Sequence, residues 1–551
     1  MGAQPVTPFP ILGRVTGNDD VKEIIQRDAS NEFVFAVVGH AGSGTTMIAT
    51  ALEARLLEES MEGHPFQVAV IKARQVIQVW AEKHQRPLPE EKSPRSLKDV
   101  ELFQDYGDEM RSQLWRNMTA DYSSVARGLV RLIQEKRSEQ SSASSGADSI
   151  TPGGPDRRPR AFILDSIRHP AEVELLRYIY GDAFVLIGVV CEENKRVKRI
   201  QKKYDSGESS ARTFMERDAN ADKKHGQHVA DAFHLADFFV DNTADRPSRP
   251  SPSREDSRAW KASEDLSRLV KLITGKDIIR PVLAETAMYH AFSSQLQSAC
   301  LSRQVGAALV DPAGNVVATG TNEVPRAGGG VYGESIESQE DDGRCAYRLD
   351  GKTGKHICRN TNRQNEIIDE LLEKVPELKR TTPERKKVLV EEVRRTRIGG
   401  LLEFSRAVHA EMDALLSAGR KGISTVGCRL FVTTYPCHYC ARHIVSAGVD
   451  EVQFIEPYPK SLAIDMHDDS IVVETSGWKP PSQGGTHVRF RPFSGVSPRL
   501  YKRAFMKNRD LKDGKTGEMT ISKPDWGSAW NLPVSGYIER ESNITKEDSD
   551  A

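Results

Sequence analysis

Two α/β regions in succession are what this 551-residue sequence predicts. In the first, the apolar run FVFAVV (33–38) passes at once into GHAGSGTT (Gly39–Thr46) and then into the helical run MIATALEARLLEE, a strand, glycine loop and helix in order. In the second, from Pro281 onward, the pattern reads α-β-β-α-β-α-β, with VGAALV (305–310) and NVVATGT (315–321) joined by DPAG as a hairpin. A chain this long exceeds one ordinary core and is expected to form two or three domains.

Composition narrows the class. Hydrophobic content of 38% and charged content of 28% are those of a soluble globular protein. A formal net charge of −1 and a pI near 6.9 leave no global positive field to recruit nucleic acid. The longest apolar runs, FVFAVVG and AFVLIGVVC, fall well short of the ~20 residues of a membrane span, so no membrane partner is expected. MGAQPVTPFP has neither the charged nor the apolar segment of a signal peptide, and seven cysteines in so long a chain suit a reducing compartment. The expected location is the cytoplasm.

The expected domain plan is an N-terminal extension (1–30), a first domain (31–243), a linker (244–263), a second domain (264–510) and a tail (511–551). Residues 136–160, KRSEQSSASSGADSITPGGPDRRPR, are rich in Ser, Gly, Pro and charge and read as a disordered insertion. The linker has the same character. The segment VRFRPFSGVSPRLYKRAFMKNR reads as a solvated basic helix, and the final RESNITKEDSDA as disordered.

In the first domain the glycine loop directs backbone N–H groups and a helix end toward an anion. Gly39, Gly42, Ser43, Gly44, Thr45 and Thr46 are therefore candidate nucleotide-binding residues, with the Thr46 hydroxyl suited to magnesium. Thr45 stands where that motif carries the lysine of phosphoryl transfer, which argues against active kinase chemistry. A second strand, AFILDSIR (161–168), places Asp165 at the carboxyl edge of the sheet, a third is AFVLIGVVC (183–191), and the basic run ENKRVKRIQKKYD follows. This order resembles nucleoside and nucleotide kinases of the P-loop class. The resemblance implies a parallel sheet, nucleotide contacts at Asp165, Arg168, Arg196 and Arg199, and a regulatory nucleotide as partner. A purely structural Rossmann-like domain with a solvated basic helix is the alternative.

The second domain holds the densest chemistry, in residues 405–445. His409 and Glu411 form a His-x-Glu triplet, and Pro436, Cys437 and Cys440 a Pro-Cys-x-x-Cys element. Cys437 and Cys440 share a face of a helix expected to begin at Pro436, a favoured first residue. His409 and Glu411 are about 200° apart on a helix, so they act together only where that helix begins near His409. Three ligands, His409, Cys437 and Cys440, leave the fourth position of a tetrahedral zinc open for catalysis, with Glu411 as the non-ligating acid and base.

These elements resemble the cytidine and deoxycytidylate deaminase superfamily, which implies a three-layer α/β/α fold, zinc as cofactor and hydrolytic loss of ammonia from a cytosine. SACLSRQVGA and GTNEVPRAGGG are similar to deoxycytidylate deaminase segments: Gly320, Asn322 and Pro325 are kept, and Thr321 and Glu323 replace a tyrosine and a glycine. By that resemblance Asn322 holds the sugar, Ala410 and Tyr458 contact substrate, and Glu456 is a further pocket residue. Asp413 departs from the family's asparagine. Cys300, Cys345, His356 and Cys358 are candidates for a second, structural zinc. The fusion of the two domains looks most like bacterial anti-phage deoxycytidine nucleotide deaminases, implying dCTP or dCMP as substrate, dCTP depletion as the purpose, an inhibitory small RNA as a candidate partner and a homo-oligomer. A tRNA or other nucleic-acid base deaminase, and a nucleotide- or RNA-binding regulator without turnover, are the alternatives.

Overall fold

The computed structural model describes residues 30–545 except 62, 90–95, 116–118, 143–157, 220, 222, 245–259, 276, 334–341, 352, 459–460, 474–476, 508–510 and 521–533. The chain forms two compact units: Met1–Pro281 together with Ser494–Ala551, and Val282–Phe493.

In the first unit, β1 (Glu32–Val38), β2 (Gln67–Lys72), β3 (Arg160–Ile167), β4 (Phe184–Val190) and β5 (Phe238–Asp241) make a parallel sheet in the order β5-β4-β1-β3-β2. Every residue of β1 is buried, as expected of a central parallel strand covered by helices on both faces. Phe33, Phe35 and Val37 alternate onto one face and join Ile48 and Leu52 of α1 (Thr45–Leu57).

The same core takes in α2 (Lys261–Thr274). Leu266, Leu269, Val270 and Ile273 recur at helical spacing and bury together, and Ala262 within the expected linker is fully buried. Gly495–Val496 pairs antiparallel with β5, and Leu500 is buried in this core too. The second unit is therefore shorter at both ends than the expected 264–510, because these amphipathic segments complete the first unit's sheet and core. Of the linker and the N-terminal extension, residues 245–259 and 1–29 lie outside the described residues.

Two further expectations change. Residues 143–157 of the 136–160 insertion lie outside the described residues, but 136–142 end the helix Ser124–Ser142. Arg137 there is almost fully buried: its Nη1 and Nη2 donate to Glu541 at 2.9 and 3.0 Å, and its Nε donates to Glu32 at 2.9 Å. Glu541 belongs to the helix Val534–Thr545, whose end from Arg540 onward falls in the final segment expected to be disordered. Tyr180 and Tyr537 add hydroxyl donors to Glu541 (2.8 Å) and Glu32 (3.0 Å), so both carboxylates are satisfied in the interior. This docking requires a partner some 400 residues away, which no local pattern of the tail announces.

In the second unit, β6 (Gly306–Val310), β7 (Val316–Thr321), β8 (Arg429–Thr434), β9 (Glu451–Glu456), β10 (Ile471–Val472) and β11 (Val488–Pro492) are ordered β7-β6-β8-β9-β11-β10. β6 runs antiparallel to β7 and β8, and the remaining pairs are parallel. Two glycines show how the layers stack. A Cβ on Gly306 would strike the backbone of α3 (Leu283–Gln295), and one on Gly320 would strike the backbone of α4 (Ala410–Arg420). Gly320 pairs with Ala307, the neighbour of Gly306, so the two glycines face opposite sides of the sheet. The unit is three layers, helix on sheet on helix. α3 stops at Gln295, earlier than the expected 300, which frees residues 296–305 as a loop toward the site. The insertion before α4 contributes the helices Arg359–Lys374 and Pro383–Arg395. No described helix is long and apolar enough to cross a membrane.

Candidate active site and metal centre

His409 is not in the helix that follows it. It is the N-cap of α4, with extended backbone (φ −74°, ψ 154°), so the rotation that would separate it from Glu411 on a helix does not apply. Glu411, the second helical residue, is 4% exposed. On the other side, α5 (His438–Ser446) has Cys437 as its N-cap and Cys440 in its first turn. Pro436 therefore stands one residue before the cap and not at the first helical position as expected; the thiols meet because a cap side chain reaches back over the first turn. Two helix N-termini, each with its partial positive charge, carry the ligand set.

His409 Nδ1 lies 3.4 Å from both Cys437 Sγ and Cys440 Sγ. Zn–S bonds of about 2.3 Å and a Zn–N bond of about 2.0–2.1 Å at tetrahedral angles require N···S separations of about 3.5 Å. The set fits zinc, and Nδ1 is the imidazole atom that faces the two thiols. Among the described residues this is the one group of three or more His, Cys, Asp or Glu side chains close enough to hold a metal.

The surroundings push the site's protons apart. Burial lifts the Glu411 carboxyl to about 7. The shared hydrogen bond with Cys440 brings the Cys437 thiol down to about 4, and that same bond and burial hold Cys440 well up. Burial favours the protonated form of Glu411, and a buried carboxyl able to hold a proton suits a group that both takes and returns one.

A cavity of about 330 Å³ opens onto these residues. His409, Glu411 and Cys437 line its depth, with Asn322, Tyr458 and Arg303 among the other walls. Asn322 does more than face it: Oδ1 accepts from the Val305 amide and Nδ2 donates to the Arg303 carbonyl, both at 2.6 Å. Ala410 is fully buried and does not line the cavity; its backbone lies under β7 at Gly320. Glu456 is also absent from the lining, yet it accepts from Thr434 Oγ1 and pairs with Arg303, each at 3.0 Å. Asp413 accepts from the Thr321 amide at 3.2 Å and so ties α4 to β7.

Sequence reasoning missed Arg303, Arg359 and Arg406, all on the cavity wall. Arg303 sits within SACLSRQVGA and Arg406 three residues before His409, and proximity to those motifs was the available signal. Cys300, Cys345 and Cys358 line the same cavity but, with His356, do not gather closely enough to hold a metal together. Cys358 Sγ lies 3.4 Å from Ser302 Oγ instead.

Residues 282–456 match the cytidine and deoxycytidylate deaminase zinc-binding region. The match covers both halves of the ligand set. Similar proteins include ComE operon protein 2 of Bacillus subtilis, 41% identical over 54 residues, 10% of this chain and 29% of that protein. The deoxycytidylate deaminase of enterobacteria phage T4 is 39% identical over 54 residues, 10% of this chain and 28% of that protein. The chain thus spans under a third of the length of these relatives. The dCMP deaminase of cyanophage S-TIM5, solved with dCMP and dUMP, is 19% identical, with 39% of this chain and 99% of that one covered and a TM-score of 0.21.

Away from the deaminase-type unit, the glycine loop adopts the expected placement between β1 and α1. Gly42 and Gly44 have φ of +83° and +90°, and a side chain at Gly42 would meet the Arg196 carbonyl at 2.6 Å. Several of its groups are already engaged, while Ser43 Oγ and His40 Nδ1 are buried without a hydrogen-bond partner among the described residues. Ala41 N–H donates to Asp218 at 2.7 Å, Asp218 pairs with Arg168 at 2.7 Å, and Arg168 also donates to the Gly39 carbonyl at 3.2 Å. Thr46 Oγ1 donates to Asp165 at 2.8 Å, and the Ser43 carbonyl accepts from Asn242 at 2.7 Å. Arg199 donates to the Asn242 carbonyl at 2.9 Å, and Arg196 lies beneath Gly42. Thr45, the first residue of α1, lines the cleft above the loop, as Gly42, Gly44, Thr46 and Asp165 do.

Proposed function

We propose that the deaminase-type unit hydrolyses the exocyclic amine of a deoxycytidine nucleotide, dCTP or dCMP, to give the deoxyuridine nucleotide and ammonia. The observation that carries this reading is the convergence on one 330 Å³ cavity of a zinc-sized His-Cys-Cys set and a buried carboxyl that is not a ligand. His409, Cys437 and Cys440 would hold zinc, which would supply a Lewis acid able to make water nucleophilic at neutral pH. The rest is proton transfer. Glu411 takes a proton from the attacking water and places it on the ring nitrogen beside the amino-bearing carbon; it then takes the second proton from the hydroxyl formed at that carbon and passes it to the amine as the carbon–nitrogen bond breaks and the carbonyl forms. One water is consumed and one ammonia leaves. Arg303, fixed by Glu456, stands on the cavity wall as a cation for the nucleotide's phosphate end. The resemblance of the fused domains to anti-phage deaminases supports dCTP depletion as the biological purpose.

Zinc-loaded Glu411→Ala tests the reading: metal analysis is expected to give one zinc per chain as in the parent, while release of ammonia and deoxyuridine nucleotide from dCTP and dCMP falls by at least about 10²-fold. Turnover at the parent rate by this variant would remove Glu411 from the mechanism. If the zinc-loaded parent turned over neither nucleotide, the activity itself would be excluded.

A further inference from the structure

Three thiols, Cys300, Cys345 and Cys358, line the cavity of the deaminase-type unit without belonging to the His-Cys-Cys set. Cys358 is the N-cap of the 16-residue helix Arg359–Lys374, with extended backbone (φ −68°, ψ 116°). Its sulfur lies 3.4 Å from Ser302 Oγ and accepts from the Thr361 and Asn360 amides in the first turn of that helix. Burial pushes the Cys358 thiol up, but these hydrogen bonds outweigh it and bring the thiol below its ordinary value. A sulfur held this way carries thiolate character, and the thiolate is the form that attacks.

A second thiol belongs to the stretch that Cys358 touches. Ser302 lies in the irregular stretch 296–305, and Cys300 stands two residues before it, so their α-carbons are at most about 7 Å apart. A disulfide joins α-carbons about 4.4–6.8 Å apart, which brings Cys300 into range of Cys358 when that stretch shifts. Its ends are pinned: the Ala299 amide donates to Glu323 Oε2 at 2.7 Å, and the Arg303 carbonyl accepts from Asn322 Nδ2 at 2.6 Å. Leu301 and Ser302 between them are exposed, so the part free to shift is the part that faces Cys358. Cys345 has no such freedom. It follows Arg344, which is buried and bonded to Asp342 at 2.6 to 3.1 Å.

We propose that Cys358 and Cys300 are a redox modification site, joined by hydrogen peroxide into a reversible disulfide that shuts the cavity to substrate. The Cys358 thiolate attacks one peroxide oxygen, the O–O bond breaks, and a sulfenic acid and hydroxide result. The Cys300 sulfur then attacks the Cys358 sulfur, the S–O bond breaks, and the departing oxygen leaves as water with the Cys300 proton. Two thiols are oxidised and one peroxide is reduced to two waters. In a reducing compartment such a bond is transient and is reset by thiol–disulfide exchange. It ties the stretch carrying Arg303 to the start of the helix carrying Arg359, two walls of one cavity. The effect on turnover rests on the deaminase reading; the bond itself does not.

Treatment of the zinc-loaded full chain with stoichiometric hydrogen peroxide, followed by digestion without reductant and mass spectrometry, tests it. A peptide cross-linked through Cys300 and Cys358 is expected, with deamination of dCTP and dCMP lowered at least about tenfold, zinc retained, and both changes reversed by dithiothreitol. In Cys300→Ser, dimedone, which caps sulfenic acids, is expected to label Cys358. Cys358→Ser is expected to keep its own untreated rate under the same peroxide, which separates this bond from damage to Cys437 and Cys440. The proposal is overturned if no such peptide forms, if Cys358 pairs with Cys345, or if dimedone leaves Cys358 unlabelled. It is equally overturned if the cross-linked, zinc-loaded chain turns over at the untreated rate, or if Cys358→Ser loses as much rate to peroxide as the parent. A parent that deaminates neither nucleotide before treatment overturns the deaminase reading alone, and the cross-linked peptide then decides this proposal.

Discussion

Asn322 holds two backbone groups with one side chain, the Val305 amide and the Arg303 carbonyl, and so fixes the backbone from which the Arg303 side chain reaches Glu456. Asn322→Ala leaves both groups without their partner. The expected cost is about 1–3 kcal/mol of stability in urea unfolding, together with a raised KM as Arg303 loses its anchor. An unchanged KM with reduced stability would make Asn322 a purely structural residue. The family resemblance pointed to Asn322 as a residue of the site, but its committed amide was not readable from sequence, since it depends on how the 296–305 loop closes onto β7. His40 offers a test by pH. Loss of water around its ring, with Arg196 and Arg168 nearby, lowers its pKa from 6.5 to about 3. Between those values the unfolded chain binds a proton that the folded chain does not, so stability is full above pH 6.5 and falls as pH drops toward 3, by at most about 1.4 kcal/mol per unit. His40→Gln is expected to flatten that slope; an unaltered slope would mean that His40 is already accessible to protons in the folded state.

The elements that carry the site were legible because their local chemistry repeats in short spacing. The His-x-Glu triplet demanded a helix beginning at its first residue, and α4 begins one residue after His409. The cysteine pair demanded one turn of helix, and α5 supplies it from a cap position that a proline rule misplaced by two residues. What could not be read was the closeness of α4 to the sheet, which rests on Gly320 having no side chain. Gly320→Ala pushes against the first turn of α4, the turn that positions His409 and Glu411. Deamination is therefore expected to fall at least tenfold, because a displacement of about 1 Å at a catalytic group is enough for that. Zinc content and rate measured together on this variant check the point; parent-like values for both would show that α4 shifts without consequence.

At the scale of the whole chain, each unit owns a separate core, and the two respond to different insults. Chelation of zinc is expected to lower the unfolding midpoint of the transition that belongs to Val282–Phe493 and leave the other in place, since a ligand stabilises only the unit that binds it. A chelator that shifted both equally would show one cooperative unit. Arg137→Ala is expected to act on the other transition, by about 3–5 kcal/mol, because Glu541 would be left buried without its cation and Glu32 with Arg160 alone. The expected domain boundaries went astray at this scale for a physical reason: an amphipathic helix such as α2 shows that it buries one face, and nothing in its own residues says against which core.

The two-residue strand Gly495–Val496 gives this arrangement a consequence in time. The parallel sheet of the first unit receives its last edge from residues that follow the entire deaminase-type unit in the chain, and the Arg137 pocket is filled later still, by Glu541. On a ribosome, which delivers the chain from the N-terminus, the inserted unit has all of its residues well before its host does. The host must wait, incomplete, while its guest matures, and its closure follows only once Glu541 has been made.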